Sequence, residues 1–464
     1  MEVTLVESPT QTSLDPGTVE TLRGQLGGKL FLPGEPDYDD ARRVWNGMID
    51  KHPKLIVRAS GVADVRRAVA FAREQELPLS IKGGGHNVAG LAVTDGGLML
   101  DLSAMRAVSV DPAARTARVQ GGALWADVDR ETAAFDLATT GGVISHTGVG
   151  GLTLGGGVGW LVGKHGMTVD NLCAVDLVSA DGEFVTASAE EHAGLFWALR
   201  GGGGNFGVAT SFEFALHPLQ GVLAGSVAYP IARAHDMLAF YREFTASTPD
   251  ELTVYAQIAT NASLGMRVAG MAVCWSGDLA EGERVLKPLR RFGTPLIETI
   301  QPMPYPAWQR TLDPKYPHGR RYYWKGTLVT DLPDPMLDAI VERAADPSLP
   351  WLNATIECYR GAMNRVGATA TAFAHRDARY QLVVVGGCDD PADDATAIAW
   401  ARGLHAATER FALNGTFLNF NALDGADRRR RVRAGYGPNW DRLVEIKRRY
   451  DPLNIFRENN NIAP

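Results

Sequence analysis

The order of glycine clusters and strand-helix runs predicts an α+β protein of two domains. Three observations carry that reading. At 464 residues the chain is longer than a single hydrophobic core usually supports. Glycine is abundant, at 51 residues, against about 7% in an average protein, and it is clustered rather than spread. From about Leu219 to Leu413 the clusters stop, and strand-like runs alternate with helical ones, the pattern of a sheet with helices on one side.

In chain order, Lys54–Ala59 reads as a strand and Val62–Glu74 as an amphipathic helix, with apolar residues at helical spacing. Leu77–Ile81 returns as a strand, which completes a β-α-β unit and leads into Ile81–Gly90, IKGGGHNVAG. Short strand runs follow at Leu98–Leu102, Ala107–Val110 and Arg115–Val119, then a helical run at Leu124–Phe135. A second glycine region spans Gly141–Gly159. Leu172–Ser188 reads as a hairpin around Asp181-Gly182, Leu195–Leu199 as a short helix, and Arg200–Gly207 is a third cluster ahead of a strand through Phe214. In the middle region the strand runs are Met266–Trp275, Tyr322–Leu328, Leu352–Tyr359 and Tyr380–Val385. Its helical runs are Ala232–Thr245, Leu279–Phe292, Pro335–Ala345 and Asp393–Phe411. After Val432–Pro438, Trp440–Arg449 is helical, and a polar tail with three consecutive asparagines follows.

A net charge of −7 argues against nucleic acid or an anionic membrane surface as partner. The run Asp427–Arg433, DRRRRVR, has neither a basic domain nor aromatic neighbours around it and reads as a solvated helix face. No stretch approaches the ~20 apolar residues that span a bilayer. The opening MEVTLVESPTQTSLDP has no basic region and no apolar core, so a cytoplasmic protein is expected. Cys173, Cys274, Cys358 and Cys388 lack metal-ligand spacing and are expected to be buried thiols.

The glycine loops carry the chemistry. GGGHNVAG is not a dinucleotide fingerprint: it lacks the G-x-G-x-x-G order and no helix pattern follows it, which disfavours a nicotinamide-binding Rossmann domain. Backbone N–H groups exposed in such loops can form anion-binding nests suited to a pyrophosphate.

Four blocks in order resemble one family: GGGHNVAG, SHTGVGGLTLGGGVGWLVGKHGMTVDNL, LFWALRGGGGNFGVAT and YDPLNIFRENNNI. The family is the berberine-bridge-enzyme-like branch of the vanillyl-alcohol oxidase and p-cresol methylhydroxylase flavoproteins, and the resemblance covers nearly the whole chain. It implies a vanillyl-alcohol-oxidase-type FAD-binding domain of two α/β subdomains, formed by residues 1–216 and completed by 414–464. Residues 217–413 would be an antiparallel-sheet substrate domain covered by helices. It implies FAD bound covalently through His86, whose neutral imidazole adds to the flavin 8α-methyl carbon. Many relatives add a cysteinyl bond; that position falls at Ile144, so His86 is expected to be the single link.

By the same resemblance the cofactor-binding residues are Gly83, Gly84, Gly85, His86, Asn87 and Gly90 in the first block, and Thr147, Gly148, Gly151, Gly155, Gly156, Gly159, Asp170 and Asn171 in the second. Gly203, Asn205 and Val208 come from the third block, Asn419 from the C-terminal return, and Asn459 and Asn461 from the tail. The implied activity is removal of a hydride from a C–H next to O or N of a small alcohol, sugar, amine or secondary metabolite, with O₂ as acceptor. A flavin dehydrogenase using another acceptor and a non-catalytic flavoprotein are the alternatives. In the family the residue before GVGG helps decide whether O₂ reaches the flavin, and valine there goes with oxidases; here it is Thr147, of similar size but with a hydroxyl.

The catalytic group is less plain. Phe417-Leu418-Asn419-Phe420 stands where many relatives carry the tyrosine of Y-x-N-[YF], and Gln381 stands where others carry a glutamate. Glutamine cannot accept a proton near neutral pH. Glu357, in IECYRG, remains as the candidate base, with a raised pKa expected from burial beside the flavin. The plain alternative is a strand-edge glutamate paired with Arg360. Tyr436 and Lys325 complete the candidate set, Lys325 resembling a residue of the substrate-domain sheet that reaches the cavity. A competing account needs no strong base, because the substrate is a neutral amine whose lone pair assists hydride loss. The bacterial 6-hydroxynicotine oxidase type within the family, which also lacks that tyrosine, is a close general likeness.

Overall fold

A computed structural model describes residues 14–345, 348–422 and 428–464. The first unit is a four-stranded sheet of β1 (Lys29–Phe31), β2 (Leu55–Arg58), β3 (Leu79–Lys82) and β4 (Leu98–Asp101), in the order β1-β2-β4-β3. β2, β4 and β3 are parallel, and β1 is antiparallel to β2. Parallel strands need a crossover, and the helix Val62–Glu74 supplies it. Its Val65, Ala68, Val69 and Ala72 recur at i, i+3, i+4 and i+7, so one stripe is buried against the sheet.

The second unit is an antiparallel sheet of β5 (Val108–Asp111), β6 (Thr116–Gln120), β7 (Leu172–Val178), β8 (Phe184–Ser188) and β9 (Val208–Ala215), in the order β5-β6-β9-β7-β8. Residues after 414 come back to these two units: Leu418, Val432, Tyr436, Leu443 and Ile446 join the core under the second, and Phe456 joins the core of the first. Lys447 Nζ, fully buried, donates to Asn205 O at 2.8 Å, Asp451 Oδ2 at 2.6 Å and Phe456 O at 3.0 Å, and Ile462 N donates to Asn205 Oδ1 at 2.9 Å. A buried ammonium is tolerable because a carboxylate and two carbonyls replace its water.

The third unit is one large antiparallel sheet. Its long strands are β10 (Val222–Pro230), β11 (Leu252–Asn261), β12 (Met266–Trp275), β13 (Arg321–Val329), β14 (Asn353–Cys358) and β15 (Tyr380–Cys388), in the order β10-β12-β11-β14-β15-β13. Short edge strands Ile297–Glu298 and Gln301–Met303 pair with β10. Side chains alternate along each strand, so each strand serves two faces. Val254, Ala256, Met271, Val273, Ile356, Leu382 and Val384 pack with the helices Ala234–Thr245, Leu279–Arg290, Asp334–Ala344 and Asp394–Thr408. The intervening residues form the opposite face.

The sequence expectations hold for the elements with strong periodicity; Val62–Glu74 and Met266–Trp275 match end to end. β10 and β11 are absent from the sequence reading; β10 carries Gly225 and Pro230, which interrupt its strand pattern. Gly141–Gly159 is more than turns, since Val149–Leu154 is helical. Cys173 corrects the expectation of four buried thiols: it is exposed on β7, while Cys274, Cys358 and Cys388 are buried. The arginine run lies on the helix Arg428–Tyr436, with Arg429, Arg430 and Arg433 exposed and Arg428 donating to Asn459 O at 3.0 Å. Asp427 and residues 1–13, on which the export reading rests, lie outside the described residues.

Candidate active site

The glycine loops and the free face of the large sheet enclose a cavity of about 490 Å³. On one side the first two glycine blocks meet back to back. A Cβ on Gly84 would lie 2.5 Å from Gly148 Cα, so neither position admits a side chain without moving backbone. Gly151 and Gly204 instead face open space on the cavity side.

Gly83, Gly84, Gly85, His86, Asn87, Thr147, Gly148, Gly151, Gly155, Gly203, Val208, Asn419 and Asn459 all border this cavity. So does Ile144, and none of the four cysteines does. Glu458 and Asn460, neither singled out from the sequence, border it too. Buried polar atoms here have no protein partner: His86 Nε2 and the side-chain oxygens of Asn459 and Asn460. Unsatisfied polar atoms around a glycine-lined cavity fit a polar cofactor that satisfies them.

Seven expected cofactor residues serve that wall from behind. Gly90 packs on Ile49, Gly156 on Met167 and Phe373, and Gly159 on Gly141. Asp170 holds Arg376 in a bidentate pair at 2.7 Å, and Asn171 donates to His165 O and Met167 O at 2.9 Å each. Asn205 donates to Gly202 O at 2.8 Å and to Asn460 O at 3.2 Å, which ties the third block to the tail. Asn461 is likewise not among the bordering residues. The sequence pattern cannot separate loop residues that touch a ligand from those that shape the loop.

His86 sits at the end of an aromatic pile. Its ring stacks on Trp45 at 4.1 Å and 15°, and Trp45 stacks on Tyr322 at 4.1 Å. His146 lies 5.1 Å from His86, and His318 lies 4.8 Å from His146. Burial, then the neighbouring His146 and His318, holds the His86 pKa well below the ordinary histidine range, so its imidazole is neutral. A neutral ring is the form that can act as a nucleophile.

The opposite wall is the sheet. Glu357 on β14 is 6% exposed and borders the cavity. Tyr359 Oη donates to its Oε2 at 2.5 Å. Burial outweighs that bond and pushes the Glu357 pKa up to about 7. The surface pairing with Arg360 is overturned: Arg360 donates to Thr245 O instead. Across the ladder Glu357 faces Tyr255 on β11 and Gln381 on β15. Gln381, a catalytic candidate from the sequence, is fully buried and is not among the residues that border the cavity; both polar atoms of its amide lack protein partners.

Two candidate catalytic residues fall elsewhere. Lys325 does not reach the cavity. Its register partner is Val384, on the helix-packed face, while its neighbours Trp324 and Gly326 take the free face. Its Nζ donates to Ala422 O at 2.7 Å. Tyr436 borders the cavity from the glycine side, where its hydroxyl lies 3.1 Å from both Gly202 O and Asn460 O. Burial raises its pKa, and those carbonyls keep the phenol as a donor rather than a base.

A cleft between a backbone-made cradle and a sheet carrying a buried carboxyl fits a flavin-dependent oxidoreductase. The comparisons give the same class. The FAD binding domain family matches residues 53–188, and the berberine and berberine-like family matches residues 416–463. An FAD-linked oxidoreductase of Dictyostelium discoideum is 32% identical over 95% of both chains. The (R)-6-hydroxynicotine oxidase of Paenarthrobacter nicotinovorans is 30% identical over 95% of this chain and 97% of its own. The crystal structure of 6-hydroxy-D-nicotine oxidase from Arthrobacter nicotinovorans superposes with a TM-score of 0.85 at 29% identity, covering 95% of this chain and 98% of that one. The chain belongs to the berberine-bridge-enzyme-like family of FAD-linked oxidoreductases. No helix among the described residues is long and apolar enough to cross a membrane, and among them no group of three or more His, Cys, Asp or Glu is placed to hold a metal ion.

Proposed function

We propose that this protein is an oxidase that takes a hydride from a C–H next to O or N of a small molecule and passes the electrons to O₂. Residues 1–216 and 414–464 hold the flavin, and 217–413 receive the substrate. The observation that carries the reading is Glu357, a buried carboxyl of pKa about 7 in the same cavity as His86 and the glycine loops. FAD supplies the hydride acceptor when bound. His86 is its single covalent anchor, since Ile144 stands at the cysteinyl position and no cysteine borders the cavity. Glu357 takes the proton from the substrate heteroatom, Tyr359 holds its carboxylate in place, and the apolar walls exclude water. Thr147, beside the cavity and valine-sized, suits access of O₂. Its hydroxyl is the one feature that favours a dehydrogenase. Anaerobic reduction of the bound flavin by a panel of alcohols, sugars and amines tests the function. Bleaching by no donor would make this a non-catalytic flavoprotein. Admitting air to reduced enzyme tests the acceptor, and reoxidation over many minutes would select the dehydrogenase.

A further inference from the structure

We propose that Tyr255 is a second substrate-binding group, and that with Glu357 it selects an alcohol over an amine. This deepens the oxidase reading and rests on it. Tyr255 and Glu357 are directly opposed partners on β11 and β14, so both side chains leave the same face of the sheet. Opposed Cβ atoms in such a ladder are about 5 Å apart, so the two polar ends can meet one ligand atom. Both residues border the cavity.

The Tyr255 hydroxyl is buried and has no protein partner. Leaving such a group unsatisfied is costly, and a ligand atom in the cavity is the partner available to it. Its ring is not free to seek another. Trp160 stacks on it at 4.5 Å and 27°, and Trp308 backs Trp160 at 5.0 Å. Burial, then the nearby Glu357, raises its pKa far above neutrality, so it stays a donor.

A donor and an acceptor side by side suit a hydroxyl, which offers one proton and two lone pairs. Tyr255 donates to the substrate oxygen, and Glu357 accepts the O–H proton. With FAD bound, the hydride would leave the adjacent carbon for it, and the O–H electron pair would close the C=O bond. Two electrons and one proton would go to the flavin and one proton to Glu357, so the step balances. The product carbonyl keeps its bond from Tyr255. A neutral amine fares worse, because a donor on its nitrogen engages the lone pair that must assist hydride loss.

The test compares Tyr255→Phe with wild-type holoenzyme in two measurements. The first needs no turnover: flavin difference spectra follow binding of phenol, aniline and toluene. The expected result is phenol binding weakened about tenfold or more in Tyr255→Phe, with toluene binding and thermal stability unchanged or improved. The second is anaerobic flavin reduction by the donor panel, where alcohols should lose about tenfold or more and amines should lose nothing. Unchanged phenol binding, an equal loss for phenol and toluene, or equal losses for alcohols and amines would overturn the assignment. If no donor reduces the wild-type flavin, the oxidase reading fails separately, while the phenol result still reports whether Tyr255 binds a hydroxyl.

Discussion

The two walls of the cavity are made of different material. The flavin-side wall is mostly backbone: three glycine blocks, packed so closely that Gly84 and Gly148 each exclude the other's side chain. The sheet-side wall is mostly side chain: Tyr255 and Glu357, from strands about a hundred positions apart in sequence, meet across a ladder. A backbone wall holds a constant cofactor and tolerates little change. A side-chain wall can be rewritten one residue at a time, which is how one fold serves many substrates.

Substitutions can break or sharpen that contrast. The largest effect should come from His86→Ala. Acid precipitation of the variant should leave all flavin in the supernatant, whereas wild-type protein should carry it on the peptide containing His86. Flavin retained by the variant's pellet would end the single-anchor reading.

Glu357→Gln comes next. Flavin reduction should fall by about 10²-fold or more. In the wild type the carboxylate form is needed, so the rate should rise with pH and level off above about 7. That rise should vanish in the variant. An unchanged rate at saturating donor would remove Glu357 from the mechanism and favour a substrate that needs no base.

Gly84→Ala probes the backbone wall. The new Cβ would press on Gly148, and overpacking of this kind costs about 1–3 kcal/mol. Less flavin per protein and a lower melting temperature should follow. A fully loaded, equally stable variant would show that the cradle is softer than it looks.

A subtler effect is on stability. A carboxyl raised from 4.5 to about 7 in the folded state stabilises it below the unfolded pKa and loses that contribution as pH rises through 7. The wild type should therefore lose about 3 kcal/mol from this group between pH 4 and pH 8, a drop absent from Glu357→Gln. Denaturant unfolding at the two pH values measures it; identical slopes in both proteins would mean Glu357 is not desolvated. The smallest catalytic effect should come from Lys325→Met, which lies behind the sheet. Flavin reduction should stay within about twofold of wild type. A large loss would mean that the helix-packed face communicates with the cavity.

The contrast also explains what the sequence could disclose. Glycine blocks are contiguous, so the flavin-side wall and His86 are legible as short words in one stretch of chain. The sheet-side wall is not. Glu357 could be singled out only through likeness to relatives, and nothing local to Tyr255 marks it, because its meaning comes from a register partner a hundred residues away. Lys325 shows the cost of missing phase: a strand shifts face at every residue, and one step separates the cavity from the helix-packed core. Asp170, Asn171 and Asn205 belong to the right blocks yet bind protein, because a loop that cradles a ligand must itself be held.

The bond from Lys447 to Asn205 has a consequence for biosynthesis. The third glycine block is held by residues 447, 460 and 462, which leave the ribosome about 250 residues after it. The flavin-side half therefore cannot close while the large sheet is being made. The tail residues that border the cavity, Glu458, Asn459 and Asn460, are thus made after both the glycine blocks and the sheet they complete.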